Sequence, residues 1–247
     1  MNKNTRNDNR KNDELRQIKF TCGFSQNADG SVFAEFGDTK VLITASIEEK
    51  VPKFLEKTGT GWITAEYSLL PGSTSPRSQR EVTKGKASGR TNEIQRLIGR
   101  SIRAAFDLNK IGERTIHIDA DVINADASTR CVSICGAFIA VYKALEKIQK
   151  LGKLKQIPLI SPVAAVSVGI YENEVLLDLN YLEDSKAEVD ANIVMNNEGE
   201  FIELQMTSER KAFNNHKVNE LLAIAKKGID EIIEKQMEIC GLLTLKS

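Results

Sequence analysis

SVFAEFGDTKVLITAS, residues 31–46, decides the first element of the fold. Two apolar, β-branched runs, residues 31–36 and 40–46, flank the turn pair Gly37-Asp38, which predicts an antiparallel hairpin. Imperfect alternation in VLITAS predicts a strand covered on both faces and away from a sheet edge. The second half of the chain repeats the pattern. VAAVSVGI (163–170) and EVLLDLNY (174–181) flank Tyr171-Glu172-Asn173, and ANIVMNNEG (191–199) turns into FIELQMT (201–207). Long helices follow in each half. From Thr91, Ile94, Leu97, Ile98, Ile102 and Ala105 form one helical face; residues 133–149 make a strongly apolar helix with Gly152 just beyond its end. Residues 217–236 place Leu221, Leu222, Ile224, Ala225, Ile229, Ile232 and Ile233 on a core side, and residues 115–123 alternate as a strand. Residues 59–88 are dense in Gly, Ser, Thr and Pro and read as a long loop, a length that is usually functional or disordered.

Hairpins mixed with helices predict an α+β fold of two similar lobes, residues 17–155 and 156–238, in one unit. Residues 1–16 read as a polar, mildly basic, flexible lead-in and residues 239–247 as a tail. Thirty-four Lys and Arg balance 34 Asp and Glu, which argues against wholesale coating of a polyanion but leaves local patches open. Four cysteines without CxxC spacing and two distant histidines argue against a structural zinc site and for a reducing compartment. No apolar leader and no membrane-length apolar run is present, so the expectation is a cytoplasmic protein without a membrane partner. Dinucleotide-binding, P-loop and nucleophile-elbow signatures are absent as well.

Three constellations carry chemistry. In LLDLNYLEDSKAEVDAN (176–192), Asp178 and Asn180 fall on one side of an extended strand, and Asp184 follows after a turn. Clustered carboxylates suit Mg²⁺ or Mn²⁺; a solvated acidic loop is the plain alternative. Between Arg77 and Arg103, eight cations face only Glu81 and Glu93, a net +6. Arg90 and the run Ser128-Thr129-Arg130 both stand directly before helices, where free N–H groups, hydroxyls and guanidinium forks favour phosphate. Simple helix capping is the competing reading there. Arg77, Arg80, Lys84 and Lys86 sit in the 59–88 loop and suit a nucleic-acid backbone, or merely keep that loop soluble.

SGRTNEIQRLIGR (88–100), GDTKVLITAS (37–46), WITAEY (62–67), DADVI (119–123) and LDLNYLEDS (177–185) together resemble bacterial ribonuclease PH, from about residue 10 to residue 236. The resemblance implies a duplicated ribosomal-protein-S5-domain-2-like unit assembled as a homo-hexamer, a trimer of dimers. It implies a phosphate-dependent 3′-to-5′ exoribonuclease that trims tRNA precursors, uses Mg²⁺ and releases nucleoside diphosphates. Carried across, Arg90, Ser128, Thr129 and Arg130 would bind phosphate, and Arg130, Asp178 and Asp184 would act in catalysis. Asp178 and Asp184 would hold the metal, while Arg77, Arg80, Lys84 and Lys86 would contact RNA.

Several positions depart from the family's habit. Asn180 replaces an Asp, Ala127 and Ser128 replace two glycines, an arginine near Gly72 is missing, and residues 206–213 are less glycine-rich. These departures predict weakened metal and tRNA binding, and they leave open a non-catalytic RNA-binding subunit of an exosome-like ring. An enzyme acting on a small phosphorylated substrate has no motif in its favour.

Overall fold

A computed structural model describes residues 6–243. The predicted first hairpin is present as β2 (Gly30–Phe36) and β3 (Thr39–Glu48), turning at Gly37 with a φ of 55°. β1 (Ile18–Cys22) pairs on one side of this hairpin, and β5 (Thr115–Asn124) on the other. The first sheet closes with β4 (Trp62–Leu69), parallel to β5, giving the order β1-β2-β3-β5-β4. β3 is interior as expected, but only its alternate residues Thr39, Val41, Ile43 and Ala45 are fully buried. Leu42 and Thr44 lie half-exposed on the sheet's other face, so the expectation of two-sided burial is corrected.

β4 also corrects the reading of residues 59–88 as loop. WITAEYSL alternates with period two, and Ile63, Ala65 and Tyr67 are its core side. Neighbouring Gly, Ser and Pro residues masked that alternation. The chain beyond it is irregular, with single 3₁₀ turns at Pro71–Ser73 and Glu81–Lys84.

α1 (Gly89–Ala105) starts on Ser88, whose hydroxyl accepts from the Thr91 N–H. The short α2 (Leu108–Ile111) leads into β5. α3 (Thr129–Lys150) is buried along most of its length and packs on β2 and β3 of the first sheet and on β6 (Val163–Tyr171) of the second. Close approach demands small residues at this contact. A Cβ on Gly30 would stand 2.0 Å from the Ala140 carbonyl oxygen of α3. α3 begins four residues before its predicted start, because Thr129 and Arg130 read as a polar approach rather than as its first turn.

The second sheet runs β7-β6-β8-β9, entirely antiparallel, with β7 (Glu174–Leu177), β8 (Val189–Asn196) and β9 (Phe201–Ser208). Glu172 and Asn173, both at positive φ, make the two-residue turn between β6 and β7. β7 ends at Leu177, earlier than the expected strand over 174–181, because Asp178 takes a left-handed conformation with φ 51°. The one-turn α4 (Tyr181–Asp184) follows, and α5 (Asn215–Cys240) packs on β6, β7 and α3. Each lobe thus pairs an antiparallel hairpin system with long helices around a shared core.

Residues 6–16, expected to be flexible, are instead docked on the second lobe. Arg6, Arg10 and Arg16 are all buried. Arg6 clamps the Glu183 carboxylate with Nε and Nη2 and donates to the Leu177 carbonyl at 2.7 Å. Arg10 donates to the Asp178 carbonyl at 3.0 Å. These guanidinium groups satisfy backbone oxygens that the abrupt end of β7 leaves without ladder partners. No helix of the described residues is long and apolar enough to cross a membrane.

Candidate active site between the lobes

Where α3 begins, β4 and β5 of the first lobe meet β6, β8 and α4 of the second around a cleft of about 650 Å³. Its wall is built by the start of α3. Ala127 and Ser128 both hold left-handed φ values, 60° and 54°, where the family's habit is glycine. Such backbone costs a non-glycine residue about 1–2 kcal/mol. The Ser128 hydroxyl partly offsets this by pairing with the Ser167 hydroxyl at 2.6 Å. It therefore does not cap α3, whose first N–H groups have no side-chain partner among the described residues. An uncapped 22-residue helix start is a natural seat for an anion.

Two arginines join that seat. Arg90, in the first turn of α1, is exposed and lines the cleft, and its guanidinium makes no hydrogen bond among the described residues. Arg130 keeps one nitrogen, Nη1, on Gln205 at 3.1 Å and Glu93 at 3.3 Å, leaving the rest of its fork without a protein hydrogen bond among the described residues. The Thr129 hydroxyl meets the Tyr67 hydroxyl at 2.8 Å on the buried side of the cleft. Burial pushes the Tyr67 phenol up, and its bond to Thr129 opposes this.

Facing the arginines are Asp184 from α4 and Asp190 from β8. Burial and then repulsion from Asp190 push the Asp184 carboxyl up to about 6, against the pull of Arg90, Arg130 and Arg16. Burial also raises Asp190, with Arg130 pulling the other way. Asn192, two residues along the same face of β8, holds its amide 3.5 Å from both Asp190 oxygens. The two crowded carboxyls suit one hard cation that also takes substrate phosphate oxygens, while the Asn192 amide gives its N–H groups to Asp190 and its oxygen accepts from the Cys131 thiol at 3.4 Å. Among the described residues no group of three or more acids, cysteines or histidines converges as a self-sufficient metal cage.

Asp178 is elsewhere. It is 1% exposed and does not line the cleft. Its Oδ2 accepts from the Arg16 backbone N–H at 2.9 Å and Nε at 3.0 Å, and its Oδ1 from Arg16 Nη2 at 2.7 Å. Burial alone would raise this carboxyl, but the Arg16 charge and hydrogen bonds overcome it and hold it below its ordinary value. The predicted Asp178–Asp184 pair is therefore divided: Asp184 faces the cleft, and Asp178 is spent inside an ion pair. The left-handed turn at Asp178 swings it away from the side that a continuous strand would have given it.

Asn180 is also outside the cleft lining. It caps α4, accepting from the Glu183 N–H at 3.2 Å while Glu183 returns a bond to the Asn180 N–H. Its amide donates to Asn7 at 2.7 Å and to Asp8 at 3.3 Å, and a carboxylate at 180 would turn the second contact into repulsion. Arg77, Arg80 and Lys86 are exposed on the segment leading into α1 and do not line the cleft; the Lys84 side chain lies outside the described residues. Asp190, Asn192 and Tyr67 escape the motif reading. For the first two the signal was Val-Asp-Ala-Asn in β8, two polar residues at strand spacing on an otherwise apolar run.

Residues 14–145 match domain 1 of the 3′ exoribonuclease family, and residues 161–228 match its domain 2. The chain belongs to the 3′ exoribonuclease family. A ribonuclease PH from Syntrophomonas wolfei is 52% identical over 234 residues, spanning 95% of this chain and 98% of that protein. Among solved structures, an Archaeoglobus fulgidus exosome with RNA bound to the active site superposes with a TM-score of 0.78 at 22% identity, covering 94% of this chain and 92% of that one. The crystal structure of rice Rrp46 gives 0.77 at 19% identity, over 95% of this chain and 100% of that one. These distant likenesses speak for the duplicated two-lobed α+β fold. As a family member homologous to bacterial ribonuclease PH, the chain has the family's phosphorolytic 3′-to-5′ exoribonuclease activity.

Proposed function

We propose that the cleft trims tRNA precursors and other structured RNAs at their 3′ ends, one nucleotide at a time. The observation that carries this is the opposition of Arg90, Arg130 and the uncapped start of α3 to the carboxyl pair Asp184 and Asp190. Inorganic phosphate sits on the α3 amides with Arg130 and the Thr129 hydroxyl, and Arg90 receives the terminal phosphodiester. A phosphate oxygen attacks the terminal phosphorus, and the bond to the preceding 3′-oxygen breaks. The products are a nucleoside diphosphate and an RNA one residue shorter.

The departing 3′-oxygen needs a proton. Asp184, whose carboxyl is held up to about 6, is suited to supply it while protonated; once ionised it is instead a cation ligand, so the two roles exclude each other at any one moment. Asp190, with Asn192 beside it, replaces Asp178 as the companion of Asp184. Asp184 and Asp190 would hold Mg²⁺ or Mn²⁺, which when bound neutralises charge on the reacting phosphates. Arg77, Arg80, Lys84 and Lys86 hold the RNA backbone without reading sequence. A homo-hexamer, a trimer of dimers, is the assembly this family membership supports; light scattering on the purified protein tests it.

The alternative of a non-catalytic ring subunit drew on Asn180, Ala127 and Ser128. Asn180 stands outside the cleft lining, and the positive φ values at 127 and 128 retain the backbone path that glycine would take. Both observations favour turnover. The test is incubation with 3′-extended tRNA, Mg²⁺ and phosphate: nucleoside diphosphates accumulate in proportion to RNA shortened. Monophosphate products independent of phosphate, or no products from poly(A), would refute it.

A further inference from the structure

Arg16 does not line the cleft, yet it touches both turns that deliver the cleft's groups. Its Nη1 donates to the Asp126 carbonyl at 2.5 Å and lies 3.3 Å from the Asp126 carboxylate. Its Nε and Nη2 grip Asp178 from the other direction. Asp126 immediately precedes the left-handed pair Ala127-Ser128, and its Oδ1 accepts from the N–H of Tyr181, the first residue of α4. Asp178 in turn receives the Ser128 hydroxyl at 3.4 Å. One guanidinium thus ties the phosphate-facing turn to the element that carries Asp184.

The surroundings are shaped for it. Gly37 has no Cβ, and one placed there would stand 2.7 Å from the Arg16 Cδ. Thr39 bonds the Asp126 and Ala127 carbonyls at 2.8 and 2.7 Å and accepts from the Asp126 N–H, closing the turn from the first-lobe side.

We infer that Arg16 is a positioning residue for phosphate: by bridging Asp126 and Asp178 it holds the strained Ala127-Ser128 turn in register with α3. This inference rests on the phosphorolytic reading above. A lysine offers one point charge and cannot span both partners. Arg6 supplies the control, because it binds Glu183 and the Leu177 and Asp178 carbonyls but is not hydrogen-bonded to Asp126.

The experiment measures diphosphate release against phosphate at saturating RNA, and against RNA at saturating phosphate, for the unaltered protein, Arg16→Lys, Arg6→Lys and Thr39→Val. Arg16→Lys is expected to raise the KM for phosphate about tenfold or more while moving the KM for RNA less than about twofold. Thr39→Val should shift the same constant in the same direction. Arg6→Lys should lower the unfolding temperature and leave the phosphate KM in place. A phosphate KM unmoved in Arg16→Lys, or equal rises for phosphate and RNA, overturns the inference. If Arg16→Lys does not fold, an unmoved phosphate KM in Thr39→Val overturns it instead. Absence of turnover in the unaltered protein defeats the phosphorolytic reading and this inference together, so the two failures are distinguishable.

Discussion

Asp178 and Asp184 lie six residues apart, and replacing each with asparagine should move stability in opposite directions. Asp178→Asn leaves Arg16, and beside it Arg10 at 3.8 Å, buried without this counter-charge. At about 4 Å between charge centres and an effective dielectric near 20, the lost attraction is about 4 kcal/mol. Broken buried pairs cost about 3–5 kcal/mol by measurement, and the retained amide acceptor places this variant near the lower figure. For a chain of this size each kilocalorie moves Tm by about 2–4 °C, so a fall of about 6–12 °C is expected. Asp184→Asn removes a carboxyl held up to about 6 by burial and by Asp190. Two units above its ordinary 3.8 correspond to about 3 kcal/mol of penalty at neutral pH, and solvent screening at the cleft reduces this to about 1–2. Its Tm should therefore rise by about 2–8 °C while diphosphate release collapses. Thermal unfolding followed by circular dichroism, with release assayed well below each midpoint, reads both effects. Unchanged stability in Asp178→Asn with turnover abolished would refute the separation of the two acids, as would an equal loss of stability in both variants.

Arg130→Ala should lower kcat/KM about 10- to 150-fold through loss of a charge-assisted phosphate contact, with RNA affinity in filter binding nearly unchanged. Ala127→Gly relieves a left-handed φ of 60° and should raise Tm by about 2–4 °C in calorimetry, with turnover retained. Asn180→Asp sets a carboxylate against Asp8 and should cost about 1 kcal/mol in urea unfolding while leaving Mg²⁺-dependent turnover intact. The folded Asp184 holds its proton more tightly than an ordinary carboxyl at 3.8, so its contribution to stability is complete below about pH 4 and vanishes as pH rises through about 6. Metal affinity runs the other way: titration calorimetry should find Mg²⁺ binding tightening as pH climbs through about 6, and Asp184→Asn should weaken binding and leave only the shallower dependence that Asp190 brings.

Much of the fold is legible because its signals are local. The β2–β3 hairpin follows from its Gly37 turn, and α5 from an apolar stripe at helical spacing. The anion seat is legible too, since Arg90 and Thr129-Arg130 stand at helix starts. The acidic side is less so. Which carboxyl faces the cleft depends on a single left-handed residue, Asp178, and on arginines 162 to 177 positions away in sequence. No pattern of period two or 3.6 encodes that. β4 was hidden for a simpler reason, its alternation being surrounded by turn-forming residues on both sides.

The docked N-terminal segment also sets an order of assembly. Arg6 and Arg16 precede the groups they bind, Leu177, Asp178 and Glu183, by more than 160 residues of synthesis. Throughout synthesis of the first lobe these cations wait in water, and their contacts cannot form until β7 and α4 of the second lobe have been made. Closing so long a loop is entropically slow, which makes this contact a late event in folding. The ordering of the two turns beside the cleft thus waits on contacts that span most of the described chain.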